Sequence, residues 1–183
     1  MTDITKILVA GPFGAGKTTF VTTAADDLLT SERAVSDDTA RLKEQTTVAM
    51  DHGTVRLASE IGARRTITLF GAPGQERFSF MWPLLAQGMG AYVLLVDASR
   101  LQSLAQLKSV VRRFADFAPS VPYLVAANRW DPAQMDAGEI ARFVGVPDAA
   151  VMACDPRNAE DVVDVLTAAL ALADGALEDR VSA

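Results

Sequence analysis

Residues Gly11-Pro12-Phe13-Gly14-Ala15-Gly16-Lys17-Thr18 fit the pattern G-x-x-x-x-G-K-[ST]. The apolar run 7–10 reads as a buried strand before the loop, and residues 17–29 read as a helix after it. In that setting the pattern predicts a phosphate cradle. Glycines let backbone N–H groups turn inward around an anion, and the following helix presents its positive end to it. Lys17 is expected to reach the β- and γ-phosphates of a nucleotide, and the Thr18 hydroxyl to bind Mg²⁺. Gly11, Phe13, Gly14, Ala15, Gly16 and Thr19 complete the expected contact set. The lysine is notable because lysine is scarce in this chain, with 4 Lys against 13 Arg.

Something must hold this loop, and the composition says what kind of chain does so. With 183 residues, half of them apolar by type and 22% charged, it has the size of one domain with a real core. Disordered, collagenous and low-complexity classes are excluded. The formal charge of -6 makes nucleic acid and anionic membrane surfaces poor partners, since both reward basic patches. A lone cysteine, Cys154, excludes a disulfide framework and a cysteine-based zinc site and fits a reducing, cytoplasmic setting. Neither a signal peptide, a membrane span nor a lipidation site is expected, so any membrane contact would be carried by a partner.

Short apolar runs alternate with helix-period segments along the chain. Strands are expected over 47–57, 65–70, 92–96, 123–126 and 149–153. A turn is expected near residues 60–62. Leu104, Leu107, Val111 and Phe114 share a helix face at 3-4-3 spacing. Further helices are expected over 137–143 and 159–172, and residues 30–45 read as a long polar loop. Strands apolar on both faces between helices mean a mostly parallel sheet covered on two sides, with ligands at the carboxyl ends of the strands. The expectation is an α/β three-layer domain with about six strands, one of them antiparallel, and about five helices.

Three further segments give a resemblance. Asn128-Arg129-Trp130-Asp131 follows an apolar strand and resembles the N-K-x-D guanine motif of Ras-like GTPases. There the carboxylate accepts from guanine N1 and N2, which adenine cannot match, and an unpaired buried acceptor costs about 1–3 kcal/mol or more. Gly71-Ala72-Pro73-Gly74-Gln75-Glu76-Arg77-Phe78 resembles the switch II run D-T-A-G-Q-E-R-F of Ras and Rab proteins, and Thr47-Val48-Ala49-Met50-Asp51 resembles the Rab switch I run. Ala153-Cys154-Asp155 stands where relatives carry S-A-K. The resemblance covers nearly the whole chain and points to a bacterial branch, the MglA-like small GTPases, and within it most to the GTPases of actinobacterial conservon operons. It implies a P-loop NTPase fold over 1–183, with switch I at about 30–47, switch II at about 71–82 and a base loop at 153–155. It also implies GTP and GDP as ligands, Mg²⁺ held by Thr18 and Thr47, and Gln75 orienting the attacking water. Lys17 and Thr47 would contact the γ-phosphate. Implied partners are a roadblock-type regulator, an activating or exchange protein, and a sensor kinase. Two alternatives remain open: a nucleotide-gated binding module with little hydrolysis, and an ATP-using P-loop enzyme such as a small kinase.

The departures from that pattern carry physical consequences. Gly71 stands where an aspartate normally serves Mg²⁺, and Asp51 is the substitute expected from its shared strand face with Thr47. Phe13 should crowd an incoming arginine finger and slow intrinsic turnover. Arg129 replaces the motif's lysine, whose stem packs over the base; an arginine stem can do the same and its guanidinium can stack. The base contact at 153–155 is expected from the Cys154 N–H. The arginine that MglA relatives carry just before the switch threonine is Thr46 here; Arg33 and Arg41 read as solvated charges. His52 reads as a packing or surface residue. Phe80 with Trp82 offers either a partner surface or core packing, and Trp130 either a lid on the base or a core residue.

Overall fold

The computed structural model describes residues 4–34, 47–58 and 64–181. Among these, seven strands form one sheet in the order β2-β3-β4-β1-β5-β6-β7. They are β1 (Ile4–Ala10), β2 (Asp27–Ala34), β3 (Thr47–Ala58), β4 (Arg64–Gly71), β5 (Ala91–Asp97), β6 (Tyr123–Asn128) and β7 (Val151–Ala153). β1, β4, β5, β6 and β7 pair in parallel, whereas β3 is antiparallel to both its neighbours. One strand therefore runs against the rest, as expected.

Among the described residues five α-helices form: α1 (Lys17–Ala24), α2 (Trp82–Leu85), α3 (Leu101–Phe117), α4 (Ala137–Val144) and α5 (Ala159–Val181). Strand alternation sorts the core into two halves. Ile7, Val9, Val93 and Leu95 face Phe20 and Val21 of α1 and Val162, Val165 and Leu166 of α5. Leu8, Ala10, Tyr92 and Leu94 face Trp82, Leu104, Phe114 and Ile140 on α2, α3 and α4. β5 is buried along its whole length, which is why it reads as a continuous apolar run. α4 starts on a capping box between Asp136 and Glu139 and ends on Gly145 in the left-handed region.

Some boundaries differ from the sequence reading. α1 stops at Ala24, not at 29, and the segment expected to open a loop at 30 is the edge strand β2. Its eight residues pair with β3 from Asp27↔Thr54 to Ala34↔Thr47, giving the seventh strand. Local polarity hid it, because an edge strand needs little apolar content when its partner supplies the ladder bonds. The rest of the expected loop and the expected turn at 60–62 lie outside the described residues, as do Thr46 and Arg41. α5 runs nine residues beyond the expected end at 172, to Val181. Of the expected α3 face, Leu104, Leu107 and Phe114 are buried, but Val110 rather than Val111 completes it.

Candidate nucleotide site

The carboxyl ends of β1, β4, β5 and β6 meet above the sheet. The loop 11–16 leaves β1 there with Gly11, Gly14 and Gly16 all at positive φ. A cavity of about 470 Å³ opens beside the loop. Phe13, Gly14, Gly16, Lys17, Thr18 and Thr19 line it from the loop and α1; Asp51, Gly71, Gly74 and Gln75 line it from β3, β4 and the turn after β4; Arg129 closes it from β6. Sequence segments far apart in the chain thus converge on one cavity, as the parallel topology requires.

Lys17 is buried, and its Nζ donates to the carbonyls of Gly11 at 3.0 Å and Pro12 at 2.7 Å. Burial pushes its pKa down to about 8, against a partial upward pull from the Asp51 carboxylate. Gly74 approaches so closely that an added Cβ would collide with Lys17 Nζ and stand 3.1 Å from Phe13 Cα. Phe13 itself is 69% exposed, so its ring stands at the mouth of the cavity and not in the core.

Asp51 and Gly71 are register partners across the β3–β4 ladder. A Cβ on Gly71 would lie 3.2 Å from Asp51 Cβ and 3.5 Å from its Oδ2. The Asp51 carboxylate therefore projects over the position that lacks a side chain, on the face that carries Thr18 and Lys17. Among the described residues no group of three or more His, Cys, Asp or Glu side chains is placed to hold a metal. Mg²⁺ needs less, because it keeps waters and takes one or two carboxylates besides substrate phosphates. A hydroxyl at Thr18 and a carboxylate at Asp51 on one cavity are a donor set of that kind. Thr47 begins β3 opposite Ala34, and its side chain lies outside the described residues.

The segment after β4 is fastened to α3 from both ends. Trp82 is buried, donates from Nε1 to the Pro73 carbonyl at 3.1 Å, and stacks obliquely on Phe114. Arg113 of α3 bonds Ser79 Oγ and Glu76 Oε1, the latter at 3.1 Å. Gln75 sits between these ties, in extended backbone just before a 3-10 turn. Of the two aromatics that could face a partner, Trp82 is core, whereas Phe80 is 74% exposed.

On the base side, Asn128 is buried and donates from Nδ2 to the carbonyl of Ala15 at 3.0 Å, tying the motif directly to the phosphate loop. Asp131 is exposed, and its carboxylate accepts from Ala133 N at 3.0 Å and from Gln134 Nε2 at 2.8 Å. Trp130 is half-buried and donates to the Met135 carbonyl, which makes it part of the turn's packing. The N–H of Cys154, expected to face a base, instead donates to Ala127 O at 3.0 Å and closes the β6–β7 ladder. The next amide, of Asp155, is held by Asp161 Oδ2 at 2.8 Å. Cys154 is buried, and burial first, then the charges of Asp161 and Asp155, pushes its thiol up to about 12; it is no nucleophile. Ala153, its neighbour at the strand end, is exposed. His52 stacks on Phe70 with ring centroids 4.6 Å apart, a packing role as expected. The sequence reading passed over Asp97, a buried carboxylate at the end of β5; its signal was only a polar residue closing an apolar strand.

A glycine-rich loop between a buried strand and a helix, at the carboxyl edge of a mostly parallel sheet, defines a P-loop nucleotide-binding protein. The match to known families agrees. A family model described as a conserved hypothetical ATP binding protein matches residues 22–174, and the chain belongs to that family. An uncharacterized protein of Methanocaldococcus jannaschii is similar: 26% identical over 141 residues, covering 77% of this chain and 80% of the relative. No helix among the described residues is long and apolar enough to cross a membrane.

Proposed function

We propose that the protein is a guanine-nucleotide switch that binds GTP and GDP and hydrolyses GTP. The observation that carries this reading is the bond from Asn128 to the Ala15 carbonyl, which couples an N-R-W-D turn to the phosphate loop. In this reading the Asp131 carboxylate exchanges its bonds to Ala133 and Gln134 for two from guanine. Lys17 leaves the loop carbonyls for the β- and γ-phosphates. Thr18 and Asp51, with Thr47, would hold Mg²⁺, which supplies neutralisation of phosphate charge when bound. Gln75 orients the attacking water. The exposed Phe13 ring narrows the approach to the γ-phosphate, which supports slow turnover until an activating protein docks. The output is a rearrangement of residues 71–82, released from γ-phosphate contacts on hydrolysis. The resemblance to MglA-like GTPases supports a bacterial signalling role, with a roadblock-type regulator, an exchange or activating protein and a sensor kinase as partners.

Gln75→Leu tests the catalytic part. It is expected to leave GTP affinity within about threefold and to lower the single-turnover rate by about a hundredfold, the size of a lost positioning group. An unchanged rate would remove Gln75 from the catalytic role; a wild type that barely turns over with or without an activating protein would instead belong to the gated binding modules. An adenine-using P-loop enzyme is the second reading, and the description of the matched family as ATP binding favours it.

A further inference from the structure

Asp97 ends β5 directly beside Asn128 in the parallel register with β6. Its side chain is 1% exposed. A carboxylate so buried needs several donors, and it has them. It accepts from Ser99 N at 3.1 Å, Ser99 Oγ at 2.6 Å, Arg100 Nε at 2.8 Å and Arg129 Nη1 at 2.6 Å. Burial works to raise its pKa, but the bonds from Ser99 and Arg129 and the charge of Arg100 hold it below the ordinary value.

The two arginines lead to different parts of the site. Arg100 Nη2 lies 3.4 Å from where a Cβ on Gly14 would be, against the phosphate loop. Arg129 lines the nucleotide cavity and opens the turn to Asp131. It is also the one non-glycine residue with positive φ, 51°, among the described residues. A long side chain in the left-handed region is uncommon and persists only where its surroundings hold it. Two ties hold this one: Asn128 to Ala15 O just before it, and its own guanidinium to Asp97.

Closing the turn between β5 and α3 explains only part of this arrangement. The contacts from Ser99 and Arg100 are local and suffice for that turn. The bond from Arg129 spans 32 residues and fixes a strained position on the cavity wall. We propose that Asp97 is a positioning residue for nucleotide affinity: it holds Arg129 in the left-handed turn, so that the guanidinium and its stem form the wall on which the purine nucleotide lies. This rests on the reading of residues 128–131 as the base side of the site.

A double-mutant cycle on Asp97→Asn and Arg129→Ala, read as Kd for the purine nucleotide that the wild type binds more tightly, tests the proposal. Each single variant is expected to weaken di- and triphosphate alike by about tenfold, and the double variant to be no weaker than the worse single one. The loss in affinity should exceed any loss in the saturating rate, which a general loosening of the fold would not produce. Additive losses, or an Asp97→Asn affinity within about twofold of wild type, overturn it. If Asp97→Asn does not fold, the 59% exposed Arg129 reads the same contact from the other side. There Arg129→Lys, which keeps a cation for Asp97, should retain most of the affinity lost in Arg129→Gln; equal affinities in the two would overturn the proposal. A wild type that prefers ATP would refute the guanine reading and leave the coupling to stand or fall on the cycle. GTP preference without coupling refutes the role of Asp97 alone.

Discussion

Lys17→Met should abolish useful nucleotide binding, weakening Kd by about a thousandfold or more, the size of two lost charge-assisted hydrogen bonds. In the free protein Lys17 is buried, bonded to the Gly11 and Pro12 carbonyls, and depressed to about 8. Phosphate anions restore the charged form, so above about pH 8 binding must take up a proton. Affinity is then expected to be flat below that pH and to fall by about tenfold per unit above it, until the pKa of the bound form is reached. Stability of the free protein moves the other way. Between about 8 and the ordinary lysine value the unfolded chain binds more protons than the folded one, so this residue makes the free protein more stable as pH rises. Titration calorimetry of wild type and Lys17→Met across that range checks the affinity, and denaturant unfolding of the two free proteins checks the stability. A Lys17→Met protein that binds with wild-type affinity would remove the lysine from the site.

Gly11→Ala should be the most damaging glycine-to-alanine change among the described residues. Gly11 has φ +138, and a Cβ there would overlap the carbonyl oxygen of Leu95 in the middle of the buried strand β5. That obstacle is backbone in a close-packed sheet, so neither side can yield cheaply. A loss of about 3 kcal/mol or more is expected, hence a melting point lower by roughly 6–12 °C in a domain of this size. Gly145→Ala is the control. Its φ is +87, but nothing lies within 4 Å of the added Cβ, so only the left-handed backbone conformation is penalised, by about 1 kcal/mol. Thermal unfolding of the two variants separates collision from conformation; equal losses would show that the contact with Leu95 does not decide.

The parts of the fold legible in the sequence were those with strong local signals. β1 and β5 are continuous apolar runs because both their faces are covered, and Leu104, Leu107 and Phe114 mark the buried stripe of α3. The phosphate loop was legible because its glycines and lysine serve a local geometry. β2 was not, since an edge strand takes its order from pairing with β3, which lies beyond residue 46. The substitution of Asp51 for a residue at 71 was readable as a possibility from strand alternation; only the register Asp51↔Gly71 brings the two together. The engagement of the Cys154 amide by Ala127, and the convergence of Arg100 and Arg129 on Asp97, are tertiary facts with no local trace.

Competition among GTP, GDP and ATP for the purified protein, with Mg²⁺ present, tests the central claim most directly. A carboxylate that accepts two bonds from guanine and none from adenine should discriminate by about a hundredfold or more, since guanine offers it two N–H donors in charge-assisted bonds whereas adenine turns its N1 lone pair toward the anion. The expected result is therefore GTP and GDP binding at least that much more tightly than ATP, with Asp131→Asn erasing most of the gap. ATP binding as tightly as GTP, or more tightly, would contradict the guanine switch and favour the adenine-using reading.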